Sequence, residues 1–453
     1  MIVLIGALFA MRVPCGAAPP VLSTLYSFQG TKAAFPEAGL VLHNNGLFGT
    51  TYAGGLGWGT VFVLAPPAQS GGAWTFSPLY TFTGGADGAN PRSGVVFSTR
   101  GVLFGTTEQG GAYGYGTVYS LTPAGGGKWT QAVLYSFKGP AGDGANPEAG
   151  LVLSPHGVLF GTTVAGGTSG NGTVFSLTPA AGGVWTEAVL YSFGGVPAGC
   201  GTAGNPACDG ANPFGSLALT STGKLYGTTY SGGTANWGTV FQLAPAGATW
   251  TETVLYSFIG APSGIGGGNA CGTSGQPVCD GGAPAGNIVI NTATGALIGT
   301  TTLGGNPTGC PQGGYDDGCG VVFQLTPPAT QGNPWTESLL YVFNGPPNDG
   351  MLPSYNVAMP SSTSPIYGTA FAGGSTTDVC FPASYEGCGV VFVLLPPKAP
   401  STTWTKSTMA TFNGDNGGGP NGLILSPSGG VLYGTTYVGG LAGGYGSIFQ
   451  VTY

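Results

Sequence analysis

Charge is what this chain most lacks. Lys plus Arg number nine and Asp plus Glu 16, so charged residues make up 6 % of 453, with a formal net charge of −7. The nine basic residues are scattered, and without a basic cluster neither a nucleic-acid backbone nor an anionic membrane surface is an expected partner. Histidine is nearly missing, with only His43 and His156. The apolar run from Ile2 to Met11 falls short of the roughly 20 residues a membrane span needs. Glycine and proline, in contrast, number 90 and 36. Such punctuation often signals disorder, but 42 % hydrophobic and 11 % aromatic residues are the opposite of a disordered composition. Collagen is excluded because glycine keeps no three-residue register. Many short strands joined by glycine-rich turns remain.

The run Ile2–Met11 followed by Gly16-Ala17-Ala18 reads as a secretory signal peptide over residues 1–18, leaving one domain over 19–453. Cys15 lies in that segment. The other eight cysteines fall into close pairs, Cys200/Cys208, Cys271/Cys279, Cys310/Cys319 and Cys380/Cys388. Their spacing is too wide for zinc and suits four local disulfides in an oxidising compartment, secreted or at the cell surface. No metal and no cofactor are expected.

Four tracts each recur seven times. An L-Y-G-T-T type has its glycine at Gly49, Gly105, Gly161, Gly227, Gly299, Gly368 and Gly434; a G-T-V-F type ends at Phe62, Tyr119, Phe175, Phe241, Phe323, Phe392 and Phe449. An L-Y-S-F type ends at Phe28, Phe82, Phe137, Phe193, Phe258, Phe343 and Phe412, and a G-L-V-L type starts near Gly39, Gly94, Gly150, Gly215, Gly286, Tyr355 and Gly422. Each is a strand signature, so the fold class is all-β: a seven-bladed β-propeller of four-stranded blades. Blades packed face to face hide both strand faces, which accounts for the charge deficit. In Trp185 to Phe193, Val189, Tyr191 and Phe193 are expected on one face. Val21–Phe28 is a spare L-Y-S-F strand, and the chain ends on a G-T-V-F-type strand. The first strand should therefore complete the last blade and close the ring.

With G-L-V-L innermost, the 2–3 and 4–1 loops share one face, which carries the longest insertions and all four cysteine pairs. Elaborated loops on a rigid scaffold are where binding usually resides. Asp87, Asp143, Asp209, Asp280, Asp349 and Asp415 stand in 4–1 loops, either as turn formers or as an acidic ring for Ca²⁺ or sugar hydroxyls. Trp58, Tyr115, Trp237 and Tyr445, just before the G-T-V-F tracts, are candidates to stack on sugar rings. His43 and His156 sit in 1–2 turns of the plain face. Asp316, Asp317 and Glu386 in the cysteine loops are the carboxylates a glycan-active enzyme would draw on, but no nucleophile elbow, P-loop or metal motif is present, so no catalytic residue is assigned.

The combined unit G-L-V-L, L-Y-G-T-T-Y-x-G-G, G-T-V-F-x-L-x-P, V-L-Y-S-F resembles the bacterial GloVer tandem-repeat family, most closely in Leu217–Phe258 and Leu423–Tyr453. The resemblance spans Val21–Tyr453 and implies an exported bacterial repeat protein. It implies no activity and no catalytic residues. Such proteins often carry a C-terminal sorting signal; this chain ends inside a strand, so free secretion is expected. The reading is a monomeric, secreted, non-catalytic scaffold for a glycan or protein ligand. The alternatives are a glycan-active hydrolase or lyase on the same face and a purely structural or adhesive repeat protein.

Overall fold

Each L-Y-G-T-T-type strand lies antiparallel to its G-T-V-F-type strand in one register: Gly49 opposite Phe62, Gly105 opposite Tyr119, and likewise through Gly434 opposite Phe449. The aromatic ring lies across the glycine, and a methyl group at Gly49 would come within 2.8 Å of the Phe62 ring. That is why the second strand carries glycine in its middle, where glycine otherwise weakens a strand.

The computed structural model describes residues 18–69, 71–140, 142–195, 209–260, 279–306, 310, 318–330, 332–353, 355–375, 377–378, 380–381, 386–398, 400–441 and 443–453. Its strands form a seven-bladed β-propeller. Blade 1 runs outward as Val41–His43, Gly46–Thr51, Thr60–Ala65 and Thr75–Thr81. Blades 2 to 5 repeat that order, with outer strands Lys128–Ser136, Trp185–Ser192, Thr249–Ser257 and Thr336–Val342. Blade 6 has three full strands, Ile366–Ala370, Val390–Leu395 and Thr405–Thr411, and a single Ala358–Tyr367 bridge in place of its inner strand. Blade 7 is completed from the other end of the chain: Val21–Ser27 pairs antiparallel with Ser447–Thr452. The expected closure is thus present, and no blade is left with an unpaired outer edge there.

The core is a ring of aromatic pairs between blades. The L-Y-S-F phenylalanine of each blade meets the third-strand aromatic of the next edge to face, as in Phe82–Tyr119, Phe137–Phe175, Phe193–Phe241 and Phe258–Phe323, at 5.0–5.2 Å between centroids. Phe343–Phe392 and Phe412–Phe449 continue the series, and Phe28–Phe62 at 5.5 Å closes it. Each such pair is worth roughly 0.5–1.5 kcal/mol beyond its buried area.

The remaining motif residues also reach the next blade. The first threonine of each G-T-T donates to a carbonyl just before the next inner strand, from Thr50 to Ser93 at 2.7 Å round to Thr435 to Ala38 at 2.7 Å. The residue before each 4–1 loop proline has a left-handed backbone, including Phe35, Asn90, Asn146, Asn212, Ala283 and Leu352 with φ between 54° and 59°. Its N–H bonds the carbonyl of the residue before the preceding blade's G-T-V-F tract, as from Asn90 to Trp58 at 2.8 Å. The glycine of that tract needs its own positive φ, and a methyl group at Gly238 would lie 2.7 Å from the ring of Pro284.

One local expectation fails. Every outer strand has a bulge immediately before its tyrosine position: Phe175 pairs with Val189 but Val174 pairs with Tyr191, leaving Leu190 extra. Val189 therefore does not share a face with Tyr191 and Phe193, because a bulge shifts the two-residue period by one.

Candidate functional site

In blades 1 to 5 the bulge turns the tyrosine toward its 4–1 loop, where it meets the recurrent aspartate. Tyr80 donates to Asp87 at 2.9 Å, Tyr135 to Asp143 at 2.8 Å, Tyr191 to Asp209 at 2.8 Å, Tyr256 to Asp280 at 2.7 Å and Tyr341 to Asp349 at 2.8 Å. The same carboxylates accept backbone N–H groups from the residue after the L-Y-S-F tract, such as Lys138 and Asn344. These five aspartates are turn and strand-end acceptors, and none lines the axial cavity. Asp415 is exposed and does not take the equivalent place. Asn416 does, accepting from the Asn413 N–H at 2.9 Å, and Ala410 stands where the tyrosine would be.

Three of the four aromatic candidates share a geometry. The Trp58 ring covers Gly84, Tyr115 covers Gly139 and Tyr445 covers Gly30, each so close that a side chain on the glycine would collide with it. The residues are 43, 39 and 37 % exposed, so each ring is backed by glycine on one side and partly open on the other, with Tyr445 also meeting Phe35 edge to face at 5.8 Å. They stand on consecutive blades 1, 2 and 7, beside exposed Leu56, Tyr113 and Leu441. Trp237 differs: it is 2 % exposed, wedged between Gly260 and Gly282. It has no open face for a ligand.

Sequence reading missed the axial mouth. A cavity on the loop-rich face, about 250 Å³, is lined by Glu37, Arg92, Glu148, Phe214, Tyr355 and Asn356 among others. Glu37, Arg92, Glu148 and Phe214 each follow a 4–1 loop proline. A second ring of positions directly follows each G-T-T: Tyr52, Glu108, Val164, Tyr230, Thr302, Phe371 and Tyr437, all half-buried. The two sets meet. Arg92 lies 3.2 Å from Glu37 and 3.0 Å from Glu108 through Nε, bonds Glu148 at 2.8 Å through an η nitrogen, and sits over the Tyr52 ring. Phe214 contacts Tyr230, and Phe35, Tyr437 and Phe371 form an aromatic arc continuing to Phe381.

Burial drives the Glu37 pKa up to about 7, against the attraction of Arg92 and with help from Glu108 and Glu148. Glu148 is also raised, chiefly by burial. One arginine thus stands among three carboxylates, one of which retains a proton near neutral pH. The signal for this site was available in the repeat: the columns after the 4–1 loop proline and after the G-T-T-type tract vary in size and charge between the recurring proline, G-T-T and Gly-Gly letters.

His43 stacks on Phe97 of the next blade at 4.1 Å. Glu386 is exposed, while Asp316 and Asp317 lie outside the described residues. Disulfides join Cys310 to Cys319 and Cys380 to Cys388. Cys279 is also disulfide-bonded; Cys271, the partner expected for it, lies outside the described residues, as do Cys200 and Cys208. These bonds point to an oxidising, extracytoplasmic location. Among the described residues no cluster of metal-ligating side chains occurs, and no helix is long and apolar enough to cross a membrane.

Residues 5–207 match the Gloeobacter/Verrucomicrobia repeat family. The recurring tracts of the chain continue through blade 7, beyond the matched span. No curated protein matches the chain. Among solved structures it is similar to a putative 6-phosphogluconolactonase from Bacteroides uniformis ATCC 8492, with 10 % identity, a TM-score of 0.44 and coverage of 83 % of this chain and 84 % of that one. It is also similar to an aldose sugar dehydrogenase from Streptomyces coelicolor (12 %, 0.42, 96 % and 99 %) and to an ulvan lyase (8 %, 0.47, 92 % and 94 %). At this distance they bear on neither ligand nor chemistry.

Proposed function

We propose that this protein is an exported, non-catalytic scaffold that binds an uncharged glycan on the face carrying the 2–3 and 4–1 loops. The observation that carries the reading is the row of half-open rings Tyr445, Trp58 and Tyr115 on adjacent blades, each backed by glycine. Such rings offer flat apolar area at little entropic cost and suit the C–H faces of sugars. Their loops, residues 439–446, 52–59 and 108–116, contain one charged residue, Glu108, which pairs with Arg92. Arg92, the one basic residue lining the axial cavity, is already matched by three glutamates, so an anionic sugar finds no free cation there. A glycan array with neutral and uronate oligosaccharides tests this. A neutral hit should weaken about tenfold in a Trp58→Ala, Tyr115→Ala double variant, a change of about 1.4 kcal/mol. Unchanged affinity would sink the reading.

A second reading is glycan cleavage at the axial mouth. Glu37 holding a proton beside the carboxylates of Glu108 and Glu148 is the acid-with-carboxylate arrangement glycoside hydrolysis uses. Product analysis on any array hit decides: new reducing ends that vanish with Glu37→Gln would favour catalysis. Neither binding nor turnover would leave a structural or adhesive role.

A further inference from the structure

One position of the outer strand, paired with the third-strand leucine, faces the preceding blade's aspartate loop. It is Gln131 in blade 2, Glu187, Glu252 and Glu337 in blades 3 to 5, and Lys406 in blade 6. Lys406 forms an ion pair with Asp349 at 2.7 Å, and Gln131 donates to the backbone carbonyl of Asp87 at 3.2 Å. The three glutamates meet an acid with an acid. Glu187 faces Asp143, Tyr135 and Lys138; Glu252 faces Asp209 and Tyr191; Glu337 faces Asp280 and Tyr256. Each glutamate buries one carboxyl oxygen that has no hydrogen-bond partner. Burying an unpaired carboxylate beside another is unfavourable unless one of the two is protonated.

We propose that the interfaces between blades 2 and 3, 3 and 4, and 4 and 5 are proton-dependent clasps, closed in mildly acidic surroundings and loosened as pH rises. Burial and the facing aspartates push Glu187 up to about 7 and Glu252 and Glu337 up to about 8. The sign follows from linkage. Above the ordinary glutamate pKa the folded chain keeps protons that the unfolded chain has released. The stabilisation is therefore complete in acid and is lost as pH climbs through about 7 to 8. The Lys406–Asp349 interface, where an amine rather than a second carboxyl meets the aspartate, supplies a control within the same molecule.

Native-state hydrogen exchange on the full chain reads this directly. From about pH 5.5 to about 8.5, protection in Trp185–Ser192, Thr249–Ser257 and Thr336–Val342 should fall at least about tenfold relative to Thr405–Thr411. In a Glu187→Gln, Glu252→Gln, Glu337→Gln variant the relative fall should disappear. A constant ratio in the natural protein overturns the proposal, as does a fall that persists in the variant. Glu252→Lys alone, copying blade 6, should remove the fall in Thr249–Ser257 and leave it in Thr336–Val342, which keeps the idea testable if the triple variant does not fold.

Discussion

Tyr26 lies flat on Phe76, with ring centroids 4.8 Å apart and planes within 8°. Phe76 occupies the outer-strand position that holds Gln131, Glu187, Glu252, Glu337 and Lys406 in the blades that follow. The reason is local: the segment from Gly30 to Pro36 has no aspartate, so Tyr26 has no carboxylate to bond and takes an aromatic partner instead. The contact between blade 7 and blade 1 is therefore apolar at this position. Removing Val21–Phe28 should cause aggregation, seen as light scattering, or a sharply lower melting temperature. Phe76→Ala should cost about 1–3 kcal/mol in denaturant unfolding. A deletion variant that stays monomeric with an unchanged melt refutes this account of closure.

The two tryptophans at equivalent positions should part company. Trp237→Ala empties a buried site between Gly260 and Gly282 and should destabilise by about 3–5 kcal/mol. Trp58→Ala removes a half-exposed ring and should cost about 1 kcal/mol, with its main effect on ligand affinity. Equal losses of stability would contradict the difference in burial.

Glycine to alanine changes should separate by neighbourhood rather than by φ. Gly238 and Gly223 have φ of 92° and 84°, but only Gly238 is hemmed in by Pro284 and by backbone carbonyls. Gly223→Ala should cost about 1 kcal/mol and Gly238→Ala about 3 kcal/mol or more. Urea unfolding of the two variants checks this, and similar midpoints would count against the inter-blade contact.

Arg92→Met should weaken the fold most in alkali. Without the guanidinium, Glu37, Glu108 and Glu148 repel one another once ionised, and protonation relieves them. The loss should be about 2 kcal/mol at pH 8 and smaller at pH 5, followed by thermal melts at both values. An equal loss at both pH values would show that Arg92 acts through packing rather than charge.

Blade count, strand order and closure were legible because the repeated residues are those that touch the next blade. Thr50 to Ser93 and Phe82 to Tyr119 recur as contacts, so they recur as letters. What repeats less cleanly was harder to read. Trp237 shares its column with Trp58, but Gly260 and Gly282 press on it and it joins the buried cluster of Val240, Phe258 and Ile288. Asp415 belongs by composition to the aspartate series, but without a tyrosine at Ala410 the loop uses Asn416. The bulge at Leu190 leaves no mark in an apolar run. Arg92 and its glutamates come from three different blades, and their meeting depends on the radius of the ring.

The ring of residues after G-T-T also bears on how such proteins diversify. Tyr52, Glu108, Val164, Tyr230, Thr302, Phe371 and Tyr437 each follow a G-T-T-type tract whose first threonine ties one blade to the next. Together they form a seven-letter word around the axis, spelled independently of the frame that holds it. Exchanging one letter, or duplicating a whole unit, rewrites what the mouth presents without reopening the folding problem.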